Sequence, residues 1–117
     1  MADRVEVIIE RLVLEMKQLV EAGVFSEVEA RKIMKARRDH EYWNHRPAAQ
    51  TTDFLRAFIF EVKLEKIRAK RSKVLEGKEQ KYDYFILQRI MHICDRLLRR
   101  DKGNLRVWKM YISYLAE

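Results

Sequence analysis

A chain of 117 residues with one Pro and three Gly has too few turn formers for a β-sandwich, a barrel or a collagen-like fibre, and at this size it supports one core. Lys and Arg number 25 against 18 Asp and Glu, a net charge of +7 that favours anionic partners such as RNA. Cys94 is the single cysteine, so no internal disulfide forms, and the sequence offers neither a signal-peptide pattern nor an uncharged apolar run long enough to span a membrane.

Asp3 and Glu6 have the spacing of a capping box, and Val5, Ile8, Ile9, Leu12, Met16, Leu19 and Val20 follow on one helical face until Gly23 stops the helix. Ser26 and Glu29 repeat the capping-box spacing and predict a second helix that Pro47 ends near His45 or Arg46. Ala30, Ile33, Met34, Tyr42 and Trp43 give it a narrow apolar stripe, which predicts an outer helix with Arg31, Lys32, Lys35, Arg37 and Arg38 in solvent. Thr51, Thr52 and Asp53 are N-cap candidates for a third helix, running to about Leu75, with Leu55, Phe58, Ile59, Val62 and Ile67 inward. Gly77 breaks the pattern, and a fourth helix from about Lys81 turns Tyr82, Phe85, Ile86, Ile90, Ile93 and Leu97 to the core. After Asp101-Lys102-Gly103, Asn104 can cap a fifth helix carrying Leu105, Trp108, Tyr111, Ile112 and Leu115. The pattern is still periodic at Glu117, so we expect the N-terminal piece of a longer protein whose unpartnered last helix self-associates. The reading is an all-α fold of antiparallel helices.

Little in the chain is arranged for catalysis. Three Gly cannot build a phosphate-cradling loop, and His40 and His45, five apart, project from different helix faces, so no metal or cofactor is expected. His92 reads as a half-buried packing residue, although a small enzyme using His92 and Asp95 is an alternative of another class. Cys94 reads as a small buried hydrophobe. The densest basic segment holds Lys63, Lys66, Arg68, Lys70, Arg71 and Lys73 against Glu65 alone. It predicts a solvated helix with charge around most of its circumference, and these six residues are the candidate phosphate contacts to RNA. No aromatic residue accompanies them, so contact with the RNA backbone is favoured over base reading.

An internal repeat carries the most information. Phe54-x-x-Ala57-x-x-Phe60-Glu61 and Trp108-x-x-Tyr111-x-x-Tyr114-Leu115 share one spacing that places large aromatics between stacked helices, with packing as the expected role. The second resembles the first helix of a HAT repeat (half-a-tetratricopeptide), with Leu115 in place of Glu. The first resembles a degenerate version, with Phe54 for Trp and Ala57 for the aromatic. Together with Gly23-Val24-Phe25-Ser26, Arg37-Arg38-Asp39-x-Glu41-Tyr42, Asp53-Phe54-Leu55, Arg89-Ile90 and Asn104-Leu105 before Trp108, the whole order resembles the U-three small nucleolar RNA-associated HAT-repeat family of the small-subunit processome.

That resemblance implies a HAT/TPR-like α-solenoid start preceded by an N-terminal helical pair. Residues 1–50 would form the pair, 51–103 a first degenerate repeat, and 104–117 the first helix of the next repeat. It further implies a non-enzymatic nucleolar scaffold that assembles with WD40-repeat and other processome proteins on pre-rRNA or small nucleolar RNA, without a membrane or a small-molecule substrate. A HAT domain of another RNA-processing complex, in splicing or 3′-end processing, is the alternative, since the repeat alone occurs there too.

Overall fold

The computed structural model describes residues 2–74 and 80–100, with residues 106, 109, 110 and 113 beyond them. Four α-helices account for most of these: α1 (Ala2–Glu21), α2 (Glu27–His45), α3 (Thr51–Val74) and α4 (Phe85–Arg100), the last entered through a 3-10 turn at Lys81–Tyr84. Among the described residues there is no strand, and no helix is long and apolar enough to cross a membrane. The fold is all-α.

Local chemistry sets most boundaries. Gly23 sits at φ +81°, where the Gly23 N–H donates to the Val20 carbonyl and the Val24 N–H to the Leu19 carbonyl, both at 3.0 Å. This pair of bonds closes α1 as a Schellman cap, and a side chain at position 23 would be strained in the left-handed region. The Ser26–Glu29 capping box is present: the Glu29 N–H donates to Ser26 Oγ at 3.1 Å and the Ser26 N–H to Glu29 Oε1 at 3.0 Å. Pro47 stops α2 at His45, with Arg46 extended at φ −70°, ψ 150°.

Two expected caps differ. Helix α1 already includes Ala2, which puts Asp3 inside the first turn, and Glu6 instead accepts from Arg38 Nη1 at 3.2 Å and Tyr42 Oη at 3.1 Å. Helix α3 begins at Thr51, so Asp53 caps from within: its carboxylate accepts the Gln50 N–H at 2.9 Å and Arg46 Nη2 at 2.9 Å. The N–H bond first and the Arg46 bond second hold the Asp53 carboxyl below its ordinary range.

Contacts across the helices show that each runs antiparallel to the one before. Glu6 near the start of α1 meets Arg38 and Tyr42 late in α2; Glu29 at the start of α2 meets Arg71 late in α3; Phe54 early in α3 packs with Leu97 late in α4. The main core joins Met16 and Leu19 of α1, Ile33 of α2, Ala57, Phe58 and Leu64 of α3, and Ile86, Ile90, Ile93 and Cys94 of α4. Val5, Ile9 and Leu12 form a satellite cluster under α1, and Ala49, Phe54 and Leu97 a third.

The predicted inward face of α4 matches closely. Phe85, Ile86, Ile90, Ile93 and Leu97 are buried and Tyr82 is partly so. Elsewhere apolar periodicity misleads: Ile59 and Ile67 of α3 and Tyr42 and Trp43 of α2 are exposed. Nor is α2 an outer helix. It packs on both α1 and α3 and buries Arg37, His40, Glu41 and Asn44, which an apolar stripe could not reveal. Trp108, Tyr111, Tyr114 and Leu115 lie outside the described residues; Met110, which is described, packs on the main core.

Candidate functional site

Two carboxylates occupy the centre of the molecule, one from α2 and one from α3. Glu61, fully buried, receives a two-pronged bond from Arg37, with Nη2 to Oε1 at 2.7 Å and Nε to Oε2 at 3.0 Å. Arg37, expected in solvent, is only 2% exposed. Its partner is 24 positions away, and an isolated α2 gives no sign of it. Glu41, also fully buried, pairs with Arg89 Nη1 and accepts from Arg96 Nη1 at 3.2 Å on both oxygens. His45 Nδ1 lies 2.8 Å from the Glu41 carbonyl oxygen, to which its N–H donates. Arg89 Nε at 3.9 Å from Glu61 Oε2 joins the two halves.

Burial alone would push the Glu41 carboxyl up, and it is the largest single influence, yet Arg89 and Arg96 together outweigh it and hold Glu41 ionised and low. The network ties α2, α3 and α4 together in one register. Each inward carboxylate is met by arginines from a neighbouring helix, so breaking one pair would strand a buried charge.

The aromatic repeat positions divide. Phe54 is buried beneath Arg96 and Arg100, whose guanidinium carbons stand 5.6 Å and 5.8 Å from its ring centroid. Phe60 is partly buried and meets the His40 ring edge-on at 5.3 Å. Glu61, counted among the packing residues by its repeat offset, is the acceptor at the heart of the ion network. Trp108, Tyr111 and Tyr114 lie outside the described residues.

The basic segment is more ordered than its composition suggests. Arg68 is drawn inward, pairing with Glu65 and donating to Asp83 Oδ1 at 2.9 Å and Ser72 Oγ at 3.2 Å. Arg71 grips Glu29 with both terminal nitrogens, at 2.9 Å and 2.8 Å, donates to the Val24 carbonyl at 3.0 Å and lies over the Phe25 ring. Both arginines therefore lock α3 to its neighbours. Lys63, Lys66, Lys70 and Lys73 are exposed and have no ion pair with a described residue.

At 100° per residue these four lysines fall within an arc of about 80° and span about 15 Å of helix. The exposed Arg56, Ile59 and Ile67 flank them on the same side. The charge is thus one stripe rather than a ring around the helix, because the two arginines are committed elsewhere. A periodicity count on the lysines alone, separated from the arginines, carries this signal in the sequence.

The catalytic candidates do not converge. His92 is exposed on α4 rather than half-buried, and partial desolvation, then Arg96 and Arg89, push its pKa down. Cys94 is fully buried and its thiol is pushed up to about 12, so it packs as a hydrophobe. No group of three His, Cys, Asp or Glu able to hold a metal occurs among the described residues.

Fold and site together define an all-α protein of sequentially packed antiparallel helices, with its register fixed by a buried ion network and a lysine stripe on the exposed side of α3. Residues 9–92 match the family described as U3 small nucleolar RNA-associated protein 6, and the chain belongs to that family. It is 33% identical over 116 residues to the U3 small nucleolar RNA-associated protein 6 of Schizosaccharomyces pombe, covering 97% of this chain and 24% of the relative. The mouse and human homologues are 28% and 27% identical over 116 residues, covering 97% of this chain and 19% of each relative. The chain thus spans about a fifth to a quarter of the length of these relatives.

Proposed function

We propose that the chain belongs to a non-catalytic scaffold subunit of nucleolar ribosome biogenesis, acting in small-subunit pre-rRNA processing through contacts with processome proteins, WD40-repeat proteins among them, and with RNA. Membership in the U3 small nucleolar RNA-associated family is the observation that carries this reading. The mechanism is display. Helices held in fixed register by buried ion pairs keep their outer faces in constant relative position, and α3 with α4 serves as the first HAT-like repeat of a longer array. The pair over residues 1–50 precedes it, and residues 104–117 open the next repeat.

The Lys63, Lys66, Lys70 and Lys73 stripe supports the RNA part of the reading, because cations spaced along one helix face can displace counterions from successive phosphates without reading bases. Arg68 and Arg71 act as the internal clamps that present it. Purification of the tagged full-length protein from cells, followed by hybridisation for U3 small nucleolar RNA and pre-rRNA, tests the assignment. Enrichment of both over an untagged control is expected, and recovery equal to that control overturns it.

A further inference from the structure

Helices α1 and α4 both pack on the rest of the molecule while leaving a trough between them. Two hollows of about 380 Å³ and 460 Å³ share Ile8 and His92 as wall residues and so adjoin end to end along the trough. The α1 wall presents Arg4, Ile8, Arg11, Leu12 and Glu15, successive turns of one helix side; the α4 wall presents Phe85, Gln88, Arg89, His92 and Arg96 in the same rhythm. Each wall is therefore straight for about three turns, or roughly 16 Å.

We propose that this groove docks an acidic amphipathic helix of a partner protein. Three features specify that occupant. The walls run parallel to two helices and repeat every three to four residues, which suits a third helix whose anchors recur at i, i+3/i+4 and i+7. The half-buried Ile8 with the exposed Val7 beside it offers an apolar seat over the buried Leu12, and Val7 at 65% exposure is costly to leave in water. The charge is one-sided: Arg4, Arg11, Arg89 and Arg96 line the groove against Glu15, which stands 4.0 Å from Arg11, and the buried Glu41 behind Arg89 and Arg96 offsets only part of their charge.

Arg89 adds an unmet demand. It is 4% exposed and forms part of the groove wall; Nη1 is bound to Glu41 and Nε faces Glu61 Oε2 at 3.9 Å, which leaves Nη2 with no hydrogen-bond partner among the described residues. Buried guanidinium nitrogens are ordinarily paired, and a carboxylate entering the groove is the natural partner. RNA fits less well. The groove presents an apolar seat, Phe85 is buried, and the imidazole of His92 is its single exposed ring among the described lining residues, short of the row of aromatic faces on which successive bases stack. This site is separate from the lysine stripe on α3, so either can fail alone.

The test uses the 117-residue chain and a fluorescein-labelled helical peptide of about 16 residues with Leu at heptad spacing and Glu elsewhere. A twin peptide with Lys for every Glu and a labelled oligouridine of about 12 nucleotides are the comparators. Saturable binding of the acidic peptide is expected, weakened at least about tenfold in the Lys twin and in the Arg4→Glu/Arg11→Glu variant. Lys63→Glu/Lys66→Glu should leave it unchanged. Both α1 arginines are exposed, 72% for the Arg11 side chain, so the variant should keep the fold, and Val7→Glu, also exposed, provides an independent break of the apolar seat.

Amide chemical shifts locate the peptide. Perturbations along α1 and α4 support the proposal, and perturbations elsewhere overturn it. Equal binding of the Lys twin, binding that survives both groove variants, or oligouridine perturbing the same α1 and α4 amides also overturns it. So does a dimer of the chain that dissociates on Val7→Glu, which would make a second copy the occupant.

Discussion

The two sides of α3 handle charge in opposite ways. On its inner side Asp53, Glu61, Arg68 and Arg71 are each bound to a named partner on another segment; on its outer side Lys63, Lys66, Lys70 and Lys73 have none among the described residues. The difference follows from side-chain chemistry. Arg presents a planar fork that meets a carboxylate with two bonds and tolerates partial burial, whereas the Lys ammonium is a strongly hydrated point charge that stays in water. On α3, arginine joins the fold and lysine is left in water.

The largest break of that contrast is Glu61→Ala. It leaves Arg37 unpaired at 2% exposure and weakens the hold on Arg89, so a loss of about 3 to 5 kcal/mol in urea unfolding is expected. A loss below about 1 kcal/mol would show that water reaches Arg37 and that the inner side is not dry. The double variant Arg37→Met/Glu61→Met removes both charges and should be distinctly less damaging than Glu61→Ala alone. If the double is worse than the single, shape rather than unpaired charge is what the pair supplies.

How much of this was legible depends on the reach of each interaction. The Ser26–Glu29 box, the Gly23 stop, the Pro47 stop and the buried face of α4 are set within a few residues, and the sequence displays them. Arg37 pairs across 24 positions and Arg89 with Glu41 across 48, so their burial is decided by helices that a local pattern cannot align. The same limit hides the stripe: Arg71 looks like a sixth exposed cation until Glu29, 42 positions earlier, is seen to hold it. The exposure of Ile59 and Ile67 has the same origin, since α3 turns its charged and small residues, Asp53, Ala57 and Glu61, inward beside Phe58 and Leu64.

A change of pH sharpens the comparison because it acts on the inner carboxylates and leaves the lysines charged. Arg71 first, then the Ser26 N–H, hold Glu29 at about 2 against an ordinary 4.5. A carboxyl lowered on folding contributes stability that is full above its unfolded value and is lost as pH falls through its folded value. Stability should therefore decline between about pH 4.5 and pH 2, with Glu41 and Asp53 adding in the same direction. Glu15 and Glu65, both raised by burial, oppose this in part. Glu29→Gln should lose about 1 kcal/mol at neutral pH, modest because the Glu29 side chain is 40% exposed, and its urea midpoint should fall less steeply with acid. An unchanged acid slope would remove the Glu29–Arg71 clamp from the account. Ser26→Ala, which breaks the other half of the same cap, should cost about 1 kcal/mol at neutral pH.

The smallest effect on stability belongs to the outer side. Reversing Lys63, Lys66, Lys70 and Lys73 to Glu should change unfolding free energy by no more than about 0.5 kcal/mol per site, since none supports a described neighbour. The same change should weaken retention on single-stranded RNA whatever its sequence and reduce the slope of log affinity against log salt by about 0.7 for each phosphate no longer neutralised. Arg71→Glu is the counterpart. It should cost more stability than any one lysine, because it sets two carboxylates against each other beside Phe25, while removing little of the salt slope. If the quadruple variant binds RNA with an undiminished slope while Arg71→Glu, still folded by circular dichroism, abolishes it, then the division of labour between lysine and arginine on α3 is wrong. The phosphate-binding role would then lie with the clamping residues, and Arg71 would have to exchange Glu29 for RNA.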